Sequence, residues 1–444
     1  MFLTRYRLPV RISVIGCGYL GAVHAASMAK LGHDVVAVDV DPVKIERLAA
    51  GEAPFFEPGL PEILTEAIAS GRIRFTTDMS EVAGAQVHFL AVGTPQGPTG
   101  AADLTYVDAA VAALTPHLGA GEFVVGKSTV PVGTAARLAA EVEAAVPGAS
   151  LVWNPEFLRE GFAVQDTISP DRLVYGVPAG ETGERAVALL DEVYATTLAD
   201  GTPRLVVDLP TAELVKVSAN AFLATKISFI NAMAEIAEVV GADVTALADA
   251  IGHDARIGRK FLNAGLGFGG GCLPKDIRAF QARANELGVP DSLAFLADVD
   301  AINLRRRDHV VELAQEILGG AVTGKRIAVL GLAFKPNSDD VRDSPALDIA
   351  ARLLGHGATV AAYDPEAVVT ARRLHPELEY VESATDALRD ADLVLVLTEW
   401  NEFRELDPAV AASLVSNPVV IDGRNCLDRD AWTAVGFTYR GMGR

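Results

Sequence analysis

Arg11-Ile12-Ser13-Val14-Ile15-Gly16-Cys17-Gly18-Tyr19-Leu20-Gly21 decides the fold. An apolar run ends in glycines spaced G-x-G-x-x-G, and helix-forming sequence follows, which reads as a buried strand turning tightly into a helix. Asp39 lies 18 residues after Gly21, at the end of the next apolar run. The glycines permit the tight turn and let backbone N–H groups approach a pyrophosphate at the positive end of the helix. Asp39 would accept hydrogen bonds from an adenosine ribose and repel a 2′-phosphate, which favours NAD over NADP. The plainer reading is a strand-to-helix turn without ligand, and the complete fingerprint weighs against it. Cys17 occupies a variable position in the turn and reads as structural.

Outward from this stretch, the runs RISVIG, DVVAVDV and VHFLAVG alternate with helix-length segments, as buried parallel strands joined by crossover helices do. Thr211 to Val240 carries no Gly or Pro and is rich in Ala, Leu, Ile and Glu, which predicts one long, mostly buried helix between Pro210 and Gly241. The α/β pattern returns at Lys325. Arg11 to Gly16 is echoed by Arg326 to Gly331, Leu31-Gly32-His33 by Leu354-Gly355-His356, and Ala85 to Val92 by Asp392 to Leu397. The expected architecture is therefore α/β, with two Rossmann-like doubly wound domains joined by a central helical domain. Its expected parts are an N-terminal dinucleotide-binding domain over 1–203, a central helical domain over 204–318, and a C-terminal Rossmann-like domain over 319–444. The 444 residues suffice for three such cores.

With 58 acidic and 38 basic side chains the net charge is -20. This excess argues against a nucleic-acid partner, which would need cations to neutralise phosphates, and disfavours an anionic membrane surface. Cys17, Cys272 and Cys426 are too few and too scattered for a disulfide framework or a CxxC zinc site, and they fit a reducing cytoplasm. No HExxH or Asp/His cluster suggests a metal. The first residues, with Arg5 and Arg7 ahead of the first strand, lack an apolar run fit for export. The long uncharged stretch from Val82 to Ala102 is broken by Gly93, Pro95, Gly97 and Pro98, so it is no membrane helix.

The richest chemistry lies in Gly265-Leu266-Gly267-Phe268-Gly269-Gly270-Gly271-Cys272-Leu273-Pro274-Lys275-Asp276. Such a backbone can wrap a ligand closely, at an entropic cost that a connector has no need to bear. Pro274 suits a first helical turn, which puts Cys272 at a helix N-terminus beside Lys275, and both features stabilise a thiolate. A lone cysteine is usually a small buried hydrophobe. Its neighbours favour a nucleophile here.

These motifs, with Pro54 to Leu60, Val92 to Pro95, Ser128 to Thr134, Asn154 to Gly161 and Phe334 to Pro345, make the chain resemble the nucleotide-sugar 6-dehydrogenases over essentially its whole length. It departs from the usual pattern at Gly271, where Ser is usual, at Leu20 and at Asn231-Ala232. The resemblance implies an NAD-dependent, four-electron oxidation of a sugar C6 alcohol to a carboxylate, in a dimer formed about the long helix. It assigns Cys272 as the nucleophile that forms a thiohemiacetal and then a thioester. Lys216 and Asn220, spaced i and i+4, would stabilise the oxyanion, and Asp276 would act as base with an ordered water. Glu160 would be the base for thioester hydrolysis, with Thr129 holding water. If Asn154 to Gly161 begins a helical turn, Glu156 and Glu160 share a face.

For the cofactor the expected residues are Gly16, Gly18, Tyr19, Leu20, Gly21, Asp39, Lys44, Thr94, Thr129, Glu160, Lys275 and Arg342. For the sugar nucleotide they are Glu156, Phe157, Leu158, Arg159, Glu160, Lys216, Asn220, Arg256, Asn263, Gly265, Gly267, Phe268, Gly269, Phe334, Lys335 and Arg424, with Arg256 reaching a partner subunit. As isolated charges most of these would read as solvated surface. Their places within motifs favour the site. UDP-glucose is the expected substrate, with GDP-mannose the nearest rival and UDP-N-acetylmannosamine less favoured. A two-electron β-hydroxyacid dehydrogenase would need neither the cysteine nor the third domain, and a sensor without turnover would not keep Cys272, Lys216 and Asp276.

Overall fold

The computed structural model describes residues 9–444. The N-terminal segment with Arg5 and Arg7, read above as carrying no export signal, lies outside the described residues. The chain divides into two compact units, Met1–Ala219 and Asn220–Arg444, and the division falls inside one continuous helix, Leu209–Val240.

The first unit is built on an eight-stranded sheet in the order β3-β2-β1-β4-β5-β6-β7-β8. The strands are β1 Arg11–Ile15, β2 Asp34–Val38, β3 Ile73–Thr76, β4 Val87–Leu90, β5 Phe123–Gly126, β6 Ser150–Trp153, β7 Leu173–Gly176 and β8 Arg204–Val207. All neighbours are parallel except β6 and β7, which meet antiparallel at the single pair Trp153 and Gly176. Between the edge strands β3 and β8 the sheet is buried on both faces, which is why its inner strands are largely continuous apolar runs instead of alternating ones. Ile12 and Val14 pack into one core with Val35 and Phe89, while Ile15 packs into another with Val36, Leu90 and Trp153.

The second unit contains β9 Arg326–Leu330, β10 Thr359–Tyr363, β11 Glu379–Tyr380, β12 Leu393–Val396, β13 Val419–Asp422 and β14 Thr438–Gly441. They form one parallel sheet in the order β11-β10-β9-β12-β13-β14. This is the order of the first six strands of unit one, so the three sequence echoes are structural: β1 matches β9, β2 matches β10 and β4 matches β12. The helices Leu273–Glu286 and Phe295–Ile317 precede this sheet.

Two expectations need correction. The long helix starts at Leu209, with Pro210 inside its first turn, where an absent N–H costs nothing. It is also less buried than its composition suggests. Phe222, Phe229 and Ile236 are 67%, 48% and 55% exposed and recur every seven residues, so one apolar stripe faces outward. Among the described residues no helix is long and apolar enough to cross a membrane.

Candidate active site

β1 ends in the glycine turn, and the helix Tyr19–Lys30 opens from Gly18. Gly16 has φ 91°, and a Cβ there would lie 2.8 Å from Val92 Cγ1. A Cβ at Gly21 would lie 1.7 Å from the Gly16 carbonyl oxygen, so this glycine is required by the turn itself. Gly18 differs. Its φ is -68° and a Cβ there meets nothing, so the protein leaves open the space where a pyrophosphate would approach. Asp39 closes β2 and accepts the Cys17 N–H at 2.7 Å, the Asp41 N–H at 3.0 Å and Lys44 Nζ at 2.9 Å. Burial works against its charge, but the bonds from Lys44, Asp41 and Cys17 outweigh it and hold the carboxyl below its usual range. A carboxylate kept ionised beside an open glycine turn fits a ribose diol. The loops after β4 and β5 are tied together, with the Thr94 hydroxyl donating to Thr129 O at 2.8 Å and the Ser128 hydroxyl to Val92 O at 2.6 Å.

The equivalent acid of the second sheet is used differently. Asp364 accepts from Leu332 N, Ala333 N and Trp400 Nε1, and is 1% exposed. A buried indole donates to Asp364 where the Lys44 ammonium donates to Asp39, which is 9% exposed, so the second sheet repeats the architecture with a sealed carboxylate.

After β6 the chain does not enter a helix. Asn154 to Arg159 has no regular secondary structure, contrary to the helical turn considered above, because other groups take its hydrogen bonds. The Glu156 carboxylate accepts the Leu158 N–H at 2.8 Å, and the Gly161 and Ala163 N–H groups go to Glu57 at 2.6 and 2.7 Å. Glu156, on this strap, meets Lys216 Nζ at 2.8 Å, and the ammonium lies 5.7 Å from the Phe157 ring centroid. Arg172 covers the same ring at 3.9 Å. Arg159 turns away to a bidentate pair with Asp166. Glu160 is buried.

In the second unit Cys272 occupies the N-cap position of the helix Leu273–Glu286, without a side-chain capping bond, and Pro274 lies in the first turn as expected. It is the exposed cysteine of the three. Burial pushes the thiols of Cys17 and Cys426 up, with Asp39 and Asp422 adding to the effect, so both stay protonated. Asp276, on the first turn after Cys272, is buried and accepts Asn220 Nδ2 at 2.7 Å and Lys275 Nζ at 2.6 Å. The glycines before Cys272 are pressed on the segment Phe334 to Pro345. A Cβ on Gly270 would strike the Phe334 ring at 2.8 Å, and one on Gly271 would strike the Arg342 guanidinium at 2.4 Å. A serine at 271 would thus have to displace Arg342, which here pairs with Asp340.

The expected sugar-nucleotide residues fall into distinct settings. Phe268 exchanges backbone hydrogen bonds with the buried Asn303 amide. Arg424 spends its donors on the carbonyls of Leu397, Gly267 and Phe334, so it clamps the glycine segment to the end of the second sheet. Gly265 packs on Gly423 O and Gly269 on Asp343 O. Lys335 Nζ lies 5.2 Å from the Phe334 ring, and Asn263 accepts from Arg259. Arg256 projects into solvent, paired with Asp254 alone among the bonds described for it.

Sequence reasoning passed over Glu57, Asn303 and Lys127. Lys127 is 7% exposed and donates to Asn154 Oδ1 at 3.0 Å, Asn154 O at 3.4 Å and the Tyr194 hydroxyl at 3.3 Å. Burial lowers its pKa to about 8, against the attraction of Glu156. A cation directly after the apolar strand Phe123–Gly126 was the available signal for it. Among the described residues no cluster of His, Cys, Asp or Glu could hold a metal.

A doubly wound unit with an open glycine turn and an ionised acid after its second strand, in a chain that also presents a thiol at a helix N-terminus, defines a dinucleotide-dependent dehydrogenase. Sequence models of the UDP-glucose/GDP-mannose dehydrogenase family match its NAD binding domain at residues 10–198, its central domain at 210–305 and its UDP binding domain at 328–429. The chain belongs to this family. It is 43% identical over 439 residues to the UDP-glucose 6-dehydrogenase TuaD of Bacillus subtilis, covering 98% of this chain and 93% of the relative. It is also 43% identical to the UDP-glucose 6-dehydrogenase of Rhizobium meliloti, over 98% of this chain and 100% of that one. The structure is similar to that of a UDP-glucose dehydrogenase from the hyperthermophilic archaeon Pyrobaculum islandicum, with TM-score 0.90, 41% identity and 100% coverage of both chains. The first unit is thus the NAD-binding one.

Proposed function

We propose that the protein oxidises UDP-glucose to UDP-glucuronate, consuming two NAD and one water per sugar. The observation that carries this reading is Cys272: an exposed thiol at the N-cap position of a helix, one turn from a buried carboxylate, in a chain whose other cysteines are held protonated. The relatives' activity supports the substrate. When bound at Gly16, Gly18, Tyr19, Leu20, Gly21, Asp39 and Lys44, NAD supplies the hydride acceptor; Thr94, Thr129, Glu160, Lys275 and Arg342 complete the proposed cofactor set.

Asp276, working with an ordered water, takes the proton of the C6 hydroxyl. Its bonds to Asn220 and Lys275 fix its orientation. Once the first hydride has gone to NAD, Cys272 Sγ adds to the C6 aldehyde as a thiohemiacetal, the tetrahedral centre that can give up a second hydride and a proton; the resulting thioester stays on Sγ until water releases the acid and the thiol. Lys216 and Asn220, one turn apart on the same helix, stabilise the oxyanion. Glu160 activates the hydrolytic water, with Thr129 helping to hold it. Glu156 orients Lys216 through their 2.8 Å pair. The nucleotide is held by backbone donors of the glycine segment, which Arg424 braces, with Lys335 and Arg256.

The three family matches support a division into cofactor-binding, central and UDP-binding domains near 1–203, 204–318 and 319–444. The outward apolar stripe of Phe222, Phe229 and Ile236 supports a homodimer about the long helix, and the sparse cysteines support a cytoplasmic setting. With purified protein, NAD and a panel of UDP-glucose, GDP-mannose and UDP-N-acetylmannosamine, two NADH should appear per UDP-glucose at completion. One NADH per sugar would remove the four-electron route, and a preference for GDP-mannose would replace the substrate.

A further inference from the structure

Glu57 is a buried carboxylate to which the proposed mechanism gives no task. It is 2% exposed and lies in Phe55-Phe56-Glu57-Pro58-Gly59, just before the helix Leu60–Ala69. One oxygen accepts the Ala163 N–H at 2.7 Å; the other accepts the Gly161 N–H at 2.6 Å and the Tyr19 hydroxyl. The Tyr19 oxygen itself receives the Gly161 N–H at 3.1 Å, and its ring leans on Phe55 at 4.7 Å between centroids. Tyr19 is the first residue of the helix that opens from the glycine turn, and Gly161 directly follows Glu160. One carboxylate therefore joins the dinucleotide turn to the backbone that carries Glu160.

We propose that Glu57 is a positioning residue: through Tyr19 and Gly161 it sets the Glu160 carboxylate against the dinucleotide turn, so that NAD affinity and Glu160 placement are fixed together. A simpler role would be capping. The helix Ala163–Ile168 has no side-chain cap at Phe162, and Glu57 satisfies N–H groups at its start. Capping accounts for the bonds to Gly161 and Ala163, but not for the third, to Tyr19. That hydroxyl keeps its proton because burial, then Glu57 and Glu160, push its pKa up, so it remains a donor to the carboxylate.

This inference rests on the proposed function only through Glu160, and its test needs no sugar. NADH binding to the full-length protein is titrated by fluorescence for wild type, Glu57→Gln, Glu160→Gln and the double variant, with thermal melts alongside. Glu57→Gln should weaken NADH binding about tenfold in the wild-type background and less than about twofold once Glu160 is Gln, because contacting groups in one network are non-additive. Tyr19→Phe, which keeps all of Glu57's backbone bonds, is measured in the same two backgrounds should Glu57→Gln fail to fold, and should lose its effect in the same way. Equal factors in both backgrounds, or unchanged NADH affinity in a folded variant, would overturn the proposal and leave a cap. Failure of the sugar assignment would alter none of these readouts.

Discussion

Gly18→Ala and Gly21→Ala are chemically the same change three residues apart, and the structure expects opposite outcomes. At Gly18 the backbone is already in a region open to alanine, with φ -68° and ψ -167°, and the new methyl meets no protein atom. Restricting the unfolded chain should then stabilise the protein by about 0.4–1 kcal/mol, a rise in Tm of no more than roughly 4 °C. The methyl does intrude on the space left for the pyrophosphate. Loss of one backbone bond to a charged phosphate is worth about 1.5–3 kcal/mol, or about 10- to 150-fold in Kd. At Gly21 the methyl would lie 1.7 Å from the Gly16 carbonyl oxygen, and the turn must open by roughly 1.5 Å to relieve it. That strain falls on backbone, so the Tm should drop by several degrees, at a cost of about 1–3 kcal/mol or more. Melting curves with and without NADH, together with NADH titrations, separate the two. If Gly18→Ala binds NADH as the wild type does, the open space is not the phosphate site and the reasoning fails.

Cys272→Ala should abolish uronate formation while NADH affinity stays within about twofold of wild type; near-normal turnover would take the thiol out of the mechanism. Asp39→Asn should shift the NAD to NADP preference by at least roughly tenfold, since two unit charges near 4 Å at an effective dielectric of 20 are worth about 4 kcal/mol. An unchanged preference in initial rates would mean that another group reads the ribose. For Lys127, the folded pKa of about 8 lies below that of the unfolded chain, so the unfolded state binds the extra proton between the two. Its contribution should therefore raise stability by about 3 kcal/mol as pH rises from about 8 to about 10.5, and urea melts of Lys127→Met should lack that rise. Identical pH dependence in the two proteins would disprove the burial argument.

Much of the fold was legible because it is written locally. RISVIG, DVVAVDV and VHFLAVG are β1, β2 and β4 with their adjoining residues, since a strand buried on both faces must be apolar throughout. The repeated pattern after Lys325 marked a second sheet of the same order. Cys272 and Pro274 fall where a helix start was expected, because capping depends on neighbours in sequence. The misreadings share the opposite character. Asn154 to Arg159 was a plausible helical turn until Glu57, about a hundred positions away, supplied acceptors that helix carbonyls would otherwise provide. The long helix looked buried because its residues are apolar, but composition does not say which face is covered.

The sequence by itself determined that the chain forms two doubly wound sheets, that a glycine turn before Asp39 suits NAD, and that one cysteine begins a helix. These depend on periodicity, backbone freedom and adjacent residues. Only the tertiary structure decided which charges serve and which merely hold: Lys216 meets Glu156, Asp276 meets Asn220, Arg424 is spent on carbonyls, and Asp364 takes the Trp400 indole where Asp39 takes Lys44. The reason is physical. A buried charge or polar group needs a partner, and partners tens to hundreds of residues apart meet only once the sheets have formed.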